Sequence, residues 1–184
     1  MNNTIIIVSG LPRSGTSMMM QMLRSGGWET LTDDVRLNDI NNPKGYFEYE
    51  KVKSLAQDAS WLHVAQGKVV KIIAQLLPFL PNEFNYKIIM MNRDIYEILV
   101  SQQKMLGKDT TIIPFALGDI FTKQLQQTEL FISNQPTMEA ISIQYKEVIN
   151  SPIEQVNKIA SFLNRDLNLN EMMASIDKNL YRNK

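Results

Sequence analysis

The chain has 184 residues and a formal net charge of zero, because 19 lysines and arginines balance 19 aspartates and glutamates. A hydrophobic content of 44% is enough for a packed core, and the balanced charge gives no reason to expect nucleic acid or a membrane surface as partner. The absence of cysteine and the single histidine exclude disulfides, thiolate chemistry and the usual multi-histidine zinc sites. No signal peptide and no apolar run of about 18 residues is recognisable, so the expected location is the cytoplasm.

The first half of the chain predicts strands that alternate with helices. A run of isoleucine and valine at residues 4–9 predicts a strand, and the methionine-rich segment 16–24 predicts a helix. A long polar segment, 28–60, follows and is predicted to supply loops. Strands are then predicted at 68–73 and 87–91. Their hydrophobicity is continuous, which is typical of parallel strands that are covered on both faces.

The second half continues the same pattern. A helix is predicted at 94–106, and a mixed segment, 108–136, contains a possible helix at 118–132. A fourth strand is predicted at 140–145, and Ser151-Pro152 predicts the start of a further helix, because proline suits the first helical turn. Together the elements predict a three-layer, P-loop-like α/β fold with a mainly parallel central sheet flanked by helices. We expect one domain over residues 1–184.

A glycine-rich segment between the first strand and the first helix carries the strongest chemical signal. It reads Gly10-Leu11-Pro12-Arg13-Ser14-Gly15-Thr16-Ser17. Amide N–H groups of such a loop and the positive end of the helix together bind phosphate groups. The spacing is that of the nucleoside-triphosphatase P-loop, but Thr16 stands in place of its lysine, and the fixed positive charge is Arg13. This replacement argues against ordinary ATP or GTP hydrolysis. An ordinary strand-to-helix turn is the alternative.

Two motifs together resemble those of sulfotransferases that use 3′-phosphoadenosine 5′-phosphosulfate (PAPS). Residues 12–17 resemble the loop that holds the 5′-phosphosulfate, and Arg93 and Ser101 have the spacing of the arginine and serine that hold the 3′-phosphate. Residues 140–164 are similar to the late strand and helix of that family, and segments 42–48 and 180–182 resemble small bacterial sulfotransferase-like proteins. The resemblance implies PAPS as cofactor and its product PAP. The implied cofactor-binding residues are Pro12, Arg13, Ser14, Gly15, Thr16, Ser17, Arg93, Ser101 and Arg182.

The same resemblance implies in-line transfer of a sulfuryl group to a hydroxyl or amine of a small acceptor, with no metal required. Two of the predicted catalytic residues are basic: Arg13 serves the leaving side together with Thr16 and Ser17, and Lys71 contacts the transferring sulfuryl group or the bridging oxygen. A lysine in an apolar strand is costly to bury unless it is paired, which favours a function for Lys71 over a solvated position at the edge of the sheet.

The catalytic base departs from the family pattern, because Ile73 stands where many sulfotransferases carry a histidine. His63 precedes the strand and is predicted to be structural. We predict Glu48 as general base, and an extended segment would place it on one side together with Tyr46 and Glu50. The alternative is an acidic cluster at the start of the following helix.

Two other functions fit parts of the pattern. A P-loop kinase for a small metabolite would use the same loop, although the missing lysine disfavours it. A non-catalytic sulfotransferase-like protein that binds PAP would explain the replacement of the histidine by Ile73.

Overall fold

A parallel sheet of four strands forms the centre of the protein. The computed structural model describes residues 3–33, 35, 45–110 and 115–177. Within this part of the chain the strands are β1 (Thr4–Gly10), β2 (Val69–Lys71), β3 (Asn85–Asn92) and β4 (Met138–Gln144). Their order is β2-β1-β3-β4, and every neighbouring pair is parallel. The predicted fold class, α/β with a parallel sheet, is confirmed.

Helices connect and cover the strands. They are α1 (Thr16–Ser25), α2 (Leu62–Ala65), α3 (Ile95–Met105), α4 (Phe115–Ser133), α5 (Tyr145–Asn150), α6 (Pro152–Leu163) and α7 (Leu169–Ala174), with 3₁₀ turns at Glu50–Ser54 and Ala74–Phe79. Asp94 caps α3, because its carboxylate accepts the amide N–H of Glu97 at 3.0 Å. Pro152 occupies the first turn of α6, as predicted. Among the described residues, none of the helices has the length and apolar composition that crossing a bilayer requires.

The core has two halves, one on each face of the sheet. Side chains alternate along a strand, so Ile6 and Val8 of β1 pack toward α1, α6 and α7, whereas Ile5 and Ile7 pack toward α2 and α4. All four side chains are almost completely buried. Both faces of the sheet are therefore covered, which explains the continuous hydrophobic runs in the sequence.

The carboxyl ends of the strands meet at one edge of the sheet. Gly10 ends β1 and pairs in register with Met91, and Lys71 ends β2 beside Val8. Arg93 directly follows β3, just as α5 directly follows β4. Ligands of open α/β sheets bind at this edge. The predicted phosphate loop, Lys71 and Arg93 therefore lie on the side of the sheet where a site is expected.

The strand β2 is shorter than predicted, with three residues in place of the predicted 68–73. Its outer side is covered by the start of the long polar segment, since Leu31 donates its amide N–H to the Val69 carbonyl at 2.8 Å and Thr30 forms a bridge with Val69. Ile73 lies beyond the strand and begins the turn at Ala74–Phe79.

Candidate active site

The phosphate loop between β1 and α1 packs tightly against β3 and the start of α5. Gly10 has φ 145° and Gly15 has φ 102°, both in the region that favours glycine. A Cβ atom on Gly10 would lie 2.6 Å from the Met91 carbonyl oxygen, and one on Gly15 would lie 2.4 Å from the ring of Tyr145. The two glycines therefore let the loop pack against β3 and against the start of α5.

Gly15→Ala is expected to destabilise the protein more than Gly27→Ala. Both glycines have positive φ, at 102° and 94°, but a Cβ atom would meet neighbouring atoms within 4 Å at Gly15 and none at Gly27. The matched pair isolates the steric contact with Tyr145, which should add about 1–3 kcal/mol to the cost. Urea unfolding of the two variants measures the difference, and equal costs would contradict this account of the loop.

The helix α3 contacts the phosphate loop at two successive residues. The Arg13 Nε donates to the Ser101 hydroxyl at 2.9 Å, and the Gln102 side-chain amide donates to the Pro12 carbonyl at 3.3 Å. Arg13 has φ 76°, which is uncommon for a residue with a side chain. Ser101 is buried, with 4% of its surface exposed, and lies behind Arg13.

Arg93 is held at the carboxyl end of β3 by contacts with Glu97, Arg13 and Tyr145. Its Nε pairs with the Glu97 carboxylate at 2.8 Å, and its Nη1 donates to the Arg13 carbonyl at 3.2 Å. Its guanidinium lies over the Tyr145 ring, 4.5 Å from the ring centroid. Burial raises the pKa of the Tyr145 hydroxyl, and the nearby Arg93 charge partly opposes that shift.

Lys71 and Glu48 form an ion pair at the end of β2. The Lys71 Nζ lies 3.5 Å from the Glu48 carboxylate and donates to the Ser17 hydroxyl at 3.4 Å and to the Tyr46 carbonyl. Only 8% of the Lys71 side chain is exposed. The lysine is therefore buried with partners, which meets the condition that its burial requires.

Glu48 belongs to a short segment, residues 45–49, that we call the strap. The Phe47 side chain is buried in the core beside α1, and Tyr49 packs edge-on against Trp61 at 5.4 Å on the other side of the sheet. Tyr46 and Glu48 line the same space as Lys71 and the phosphate loop. Both halves of the core thus anchor the strap and fix the position of the carboxylate.

The prediction that Tyr46, Glu48 and Glu50 share one side was wrong for Glu50, whereas Tyr46 and Glu48 line the same space. Phe47 has φ 51°, which interrupts the extended conformation, and Glu50 begins the 3₁₀ turn, where it is exposed and pairs with Lys53 at 2.7 Å. Glu50 therefore matches the alternative of an acidic residue at the start of a helical turn.

These elements enclose a cleft of about 290 Å³ at the carboxyl edge of the sheet. Eight of the predicted site residues line it, namely Pro12, Arg13, Gly15, Thr16, Ser17, Glu48, Lys71 and Arg93. Ser14 and Ser101 do not line it in the described structure: Ser14 is 1% exposed, and its amide N–H donates to the Leu11 carbonyl at 3.1 Å. Arg182 lies outside the described residues.

His63 lies far from this cleft in the fold. Its ring is exposed and packs edge-on against Phe84 at 5.2 Å, and Phe84 immediately precedes β3 at the amino end of the sheet. Ile73, at the position expected for the family histidine, lines the cleft. His63, which was predicted to be structural, therefore lies at the amino end of the sheet, opposite the cleft.

Sequence reasoning missed Tyr145 and Glu97 as parts of the site. Tyr145 follows the last residue of β4, so the rule that ligands bind at the carboxyl ends of parallel strands could have found it. Glu97 stands four residues after Arg93, a spacing that places two side chains together on a helix. Ser175 and Asp177, after α7, also line the cleft, and no motif in the sequence indicates them.

A glycine-rich loop at the carboxyl edge of a parallel sheet, with basic side chains around it, defines the class of phosphate-binding α/β domains. Within that class, residues 3–184 match the family model of the sulfotransferase domain. The chain belongs to this family, and the predicted class of enzyme, a sulfotransferase, is confirmed. No curated protein has a significantly similar sequence.

Solved structures of sulfotransferases have a similar fold. The sulfotransferase domain of the Synechococcus PCC 7002 olefin synthase is 14% identical with a TM-score of 0.55, over 98% of this chain and 80% of that one. Mouse sulfotransferase SULT7A1, complexed with PAP, is 17% identical with a TM-score of 0.53, over 95% of this chain and 63% of that one. A retinol dehydratase in complex with androsterone and PAP is 15% identical with a TM-score of 0.56, over 95% and 64%. At these identities the likeness concerns the fold.

Proposed function

We propose that the chain transfers a sulfuryl group from PAPS to a hydroxyl or amine of a small acceptor and releases PAP. The observation that carries the proposal is that one cleft contains both the phosphate loop and the Lys71–Glu48 ion pair. The loop supplies a site for the anionic donor, and the ion pair supplies a cation and a carboxylate for the transfer. The PAP bound to the mouse sulfotransferase and to the retinol dehydratase supports this donor.

The phosphate loop and Arg13 are proposed to hold the 5′-phosphosulfate. The amide N–H groups of Gly15, Thr16 and Ser17 stand at the start of α1, where a helix has no carbonyl to accept them. The hydroxyls of Thr16 and Ser17 face the same cleft. Pro12, in the same loop, also lines the cleft, while Ser14 is buried beneath the loop and supports its shape through the hydrogen bond to Leu11.

Arg93 and Ser101 are proposed to hold the 3′-phosphate. Arg93 lines the cleft, and its planar guanidinium suits phosphate oxygens. The Ser101 hydroxyl accepts from the Arg13 Nε at 2.9 Å and so lies directly beside a residue that lines the same cleft. Arg182 remains a predicted further contact of the same phosphate.

Lys71 and Glu48 are proposed to carry the transfer. PAPS supplies an activated sulfuryl group: the acceptor oxygen or nitrogen bonds to sulfur, and the bond from sulfur to the 5′-phosphate oxygen breaks with its electron pair going to PAP. Negative charge develops on the bridging oxygen as that bond breaks. Lys71 stabilises this charge and the charge on the sulfuryl oxygens. The Glu48 carboxylate takes up the proton that the hydroxyl or amine of the acceptor molecule loses.

The proposed acceptor is a small molecule, because the cleft is modest and also contains the donor site. Ile73 and Met105 contribute apolar surface to it, beside the carboxylate of Glu48. An acceptor with an apolar body and one hydroxyl or amine fits this combination.

Calorimetric titration with PAP, beside ATP with Mg²⁺, tests the donor site. We expect micromolar binding of PAP, about −8 kcal/mol, and much weaker binding of Mg-ATP. Arg93→Ala should weaken PAP binding about 10- to 100-fold, because charge-assisted hydrogen bonds to phosphate are lost. Arg165→Ala is the matched control, since Arg165 stacks on Trp28 rather than lining the cleft.

The contrary outcomes are distinct. Failure to bind PAP, or a preference for Mg-ATP, would contradict the proposal and favour the small-molecule kinase. PAP binding without sulfuryl transfer to any of a panel of alcohols, phenols and amines would favour the non-catalytic PAP-binding protein.

A further inference from the structure

Contacts on different sides restrain the guanidinium of Arg93. It lies over the ring of Tyr145, at 4.5 Å from the ring centroid. The Glu97 carboxylate pairs with Nε at 2.8 Å. The Arg13 carbonyl holds Nη1 at 3.2 Å, which ties the same group to the phosphate loop.

Burial makes these contacts effective. The Arg93 side chain is 8% exposed and that of Glu97 is 17% exposed, so water competes little for their ion pair. The Tyr145 residue is 5% exposed. An arginine side chain that is already ordered loses less conformational freedom when it binds an oxyanion.

We propose that Tyr145 and Glu97 are positioning residues that hold Arg93 for the 3′-phosphate and thereby set the preference for nucleotides that carry one. The proposal rests on the proposed function of this cleft. Neither residue needs to touch the nucleotide: Tyr145 acts through its ring, and Glu97 acts through its carboxylate oxygen on Nε.

Removal of the Glu97 charge tests the proposal, because two different roles of Glu97 predict opposite changes in the affinity for PAP. If Glu97 acted only as a negative charge near a phosphate site, its removal would strengthen PAP binding, because like charges would no longer repel. A positioning role requires the opposite, since Arg93 would lose its holder. Glu97→Gln retains an oxygen that can accept from Nε and removes the charge, so it separates the two effects.

The experiment compares the affinities of PAP and AMP, which differ only by the 3′-phosphate, with AMP measured by displacement of PAP. Tyr145→Leu and Glu97→Ala are expected to weaken PAP about 3- to 10-fold and to change AMP less than about 2-fold. Tyr145→Phe keeps the ring, and Glu97→Gln keeps the acceptor oxygen, so both should recover most of the PAP affinity. Tyr96→Leu and Glu154→Ala are matched controls at exposed positions outside the cleft.

The affinities for PAP and AMP can overturn the positioning role of Tyr145 and Glu97 in several ways. Equal losses for PAP and AMP would overturn the proposal, because a merely structural Tyr145, which also contacts Gly15, would disturb the whole loop. Tighter PAP binding by both Glu97 variants would overturn it as well, in favour of simple repulsion. A wild-type protein that binds PAP and AMP equally would overturn both this inference and the proposed function. If Tyr145→Leu does not fold, the two Glu97 variants decide alone.

Discussion

Glu48→Gln is expected to lower kcat for sulfuryl transfer about 10²- to 10³-fold, because the amide cannot accept the acceptor proton. The strap holds this side chain from both halves of the core, and the substitution keeps its shape, so the affinity for PAP should change less than about 3-fold. Release of PAP from PAPS, followed with any acceptor that supports turnover, gives kcat, and calorimetry gives the affinity.

The neighbouring carboxylate provides the control for this prediction. Glu50 lies two residues away, is exposed, and pairs with Lys53 rather than Lys71. Glu50→Gln should leave kcat within about 2-fold of wild type. If Glu48→Gln retains full activity, another group accepts the proton and the assignment of the base is wrong.

Lys71→Met is expected to lower kcat about 10²- to 10³-fold through loss of the cation beside the sulfuryl oxygens. Methionine fills a similar volume in the apolar surroundings of β2, so the sheet should persist. The Tyr46 carbonyl loses a donor, which is expected to cost about 1–3 kcal/mol in the free energy of unfolding. Kinetics and urea unfolding of one preparation separate the two effects.

Lys68→Met is the matched substitution just before β2. Lys68 pairs with Glu29 at 2.6 Å and lies at the amino end of the strand, away from the cleft. Its kcat should equal that of wild type. A comparable loss of kcat in both variants would indicate a general effect of charge or stability rather than a specific role of Lys71.

The fold was predictable from local patterns because its strands are buried on both faces. Continuous runs of isoleucine and valine in β1 and β3 leave few alternatives to a covered parallel sheet. The phosphate loop was predictable because its packing requires glycine at fixed positions, and those glycines are visible in the sequence. A side chain at Gly10 or Gly15 would collide with β3 or Tyr145.

The base and the holders of Arg93 depend on contacts that no local pattern encodes. The side of the strap on which Glu48 lies follows from the positive φ of Phe47 and from its burial beside α1. The contact of Tyr145 with Gly15 joins two residues that lie far apart in the sequence. Lys71 was identified from the resemblance and from the cost of burying an unpaired lysine in an apolar strand, and its partners could not be named in advance.

The support of the phosphate loop by Arg93 and α3 also has a consequence for the order of folding. The hydrogen bonds that fix Pro12 and Arg13 join them to residues 80, 88 and 90 positions later in the chain. Contacts of such high sequence separation form late, because a long loop must close first. A nascent chain that ends before Arg93 would therefore contain the whole glycine-rich motif and still lack the hydrogen bonds that fix Pro12 and Arg13. A nucleotide that recognises only the completed loop would then stabilise the last step of folding.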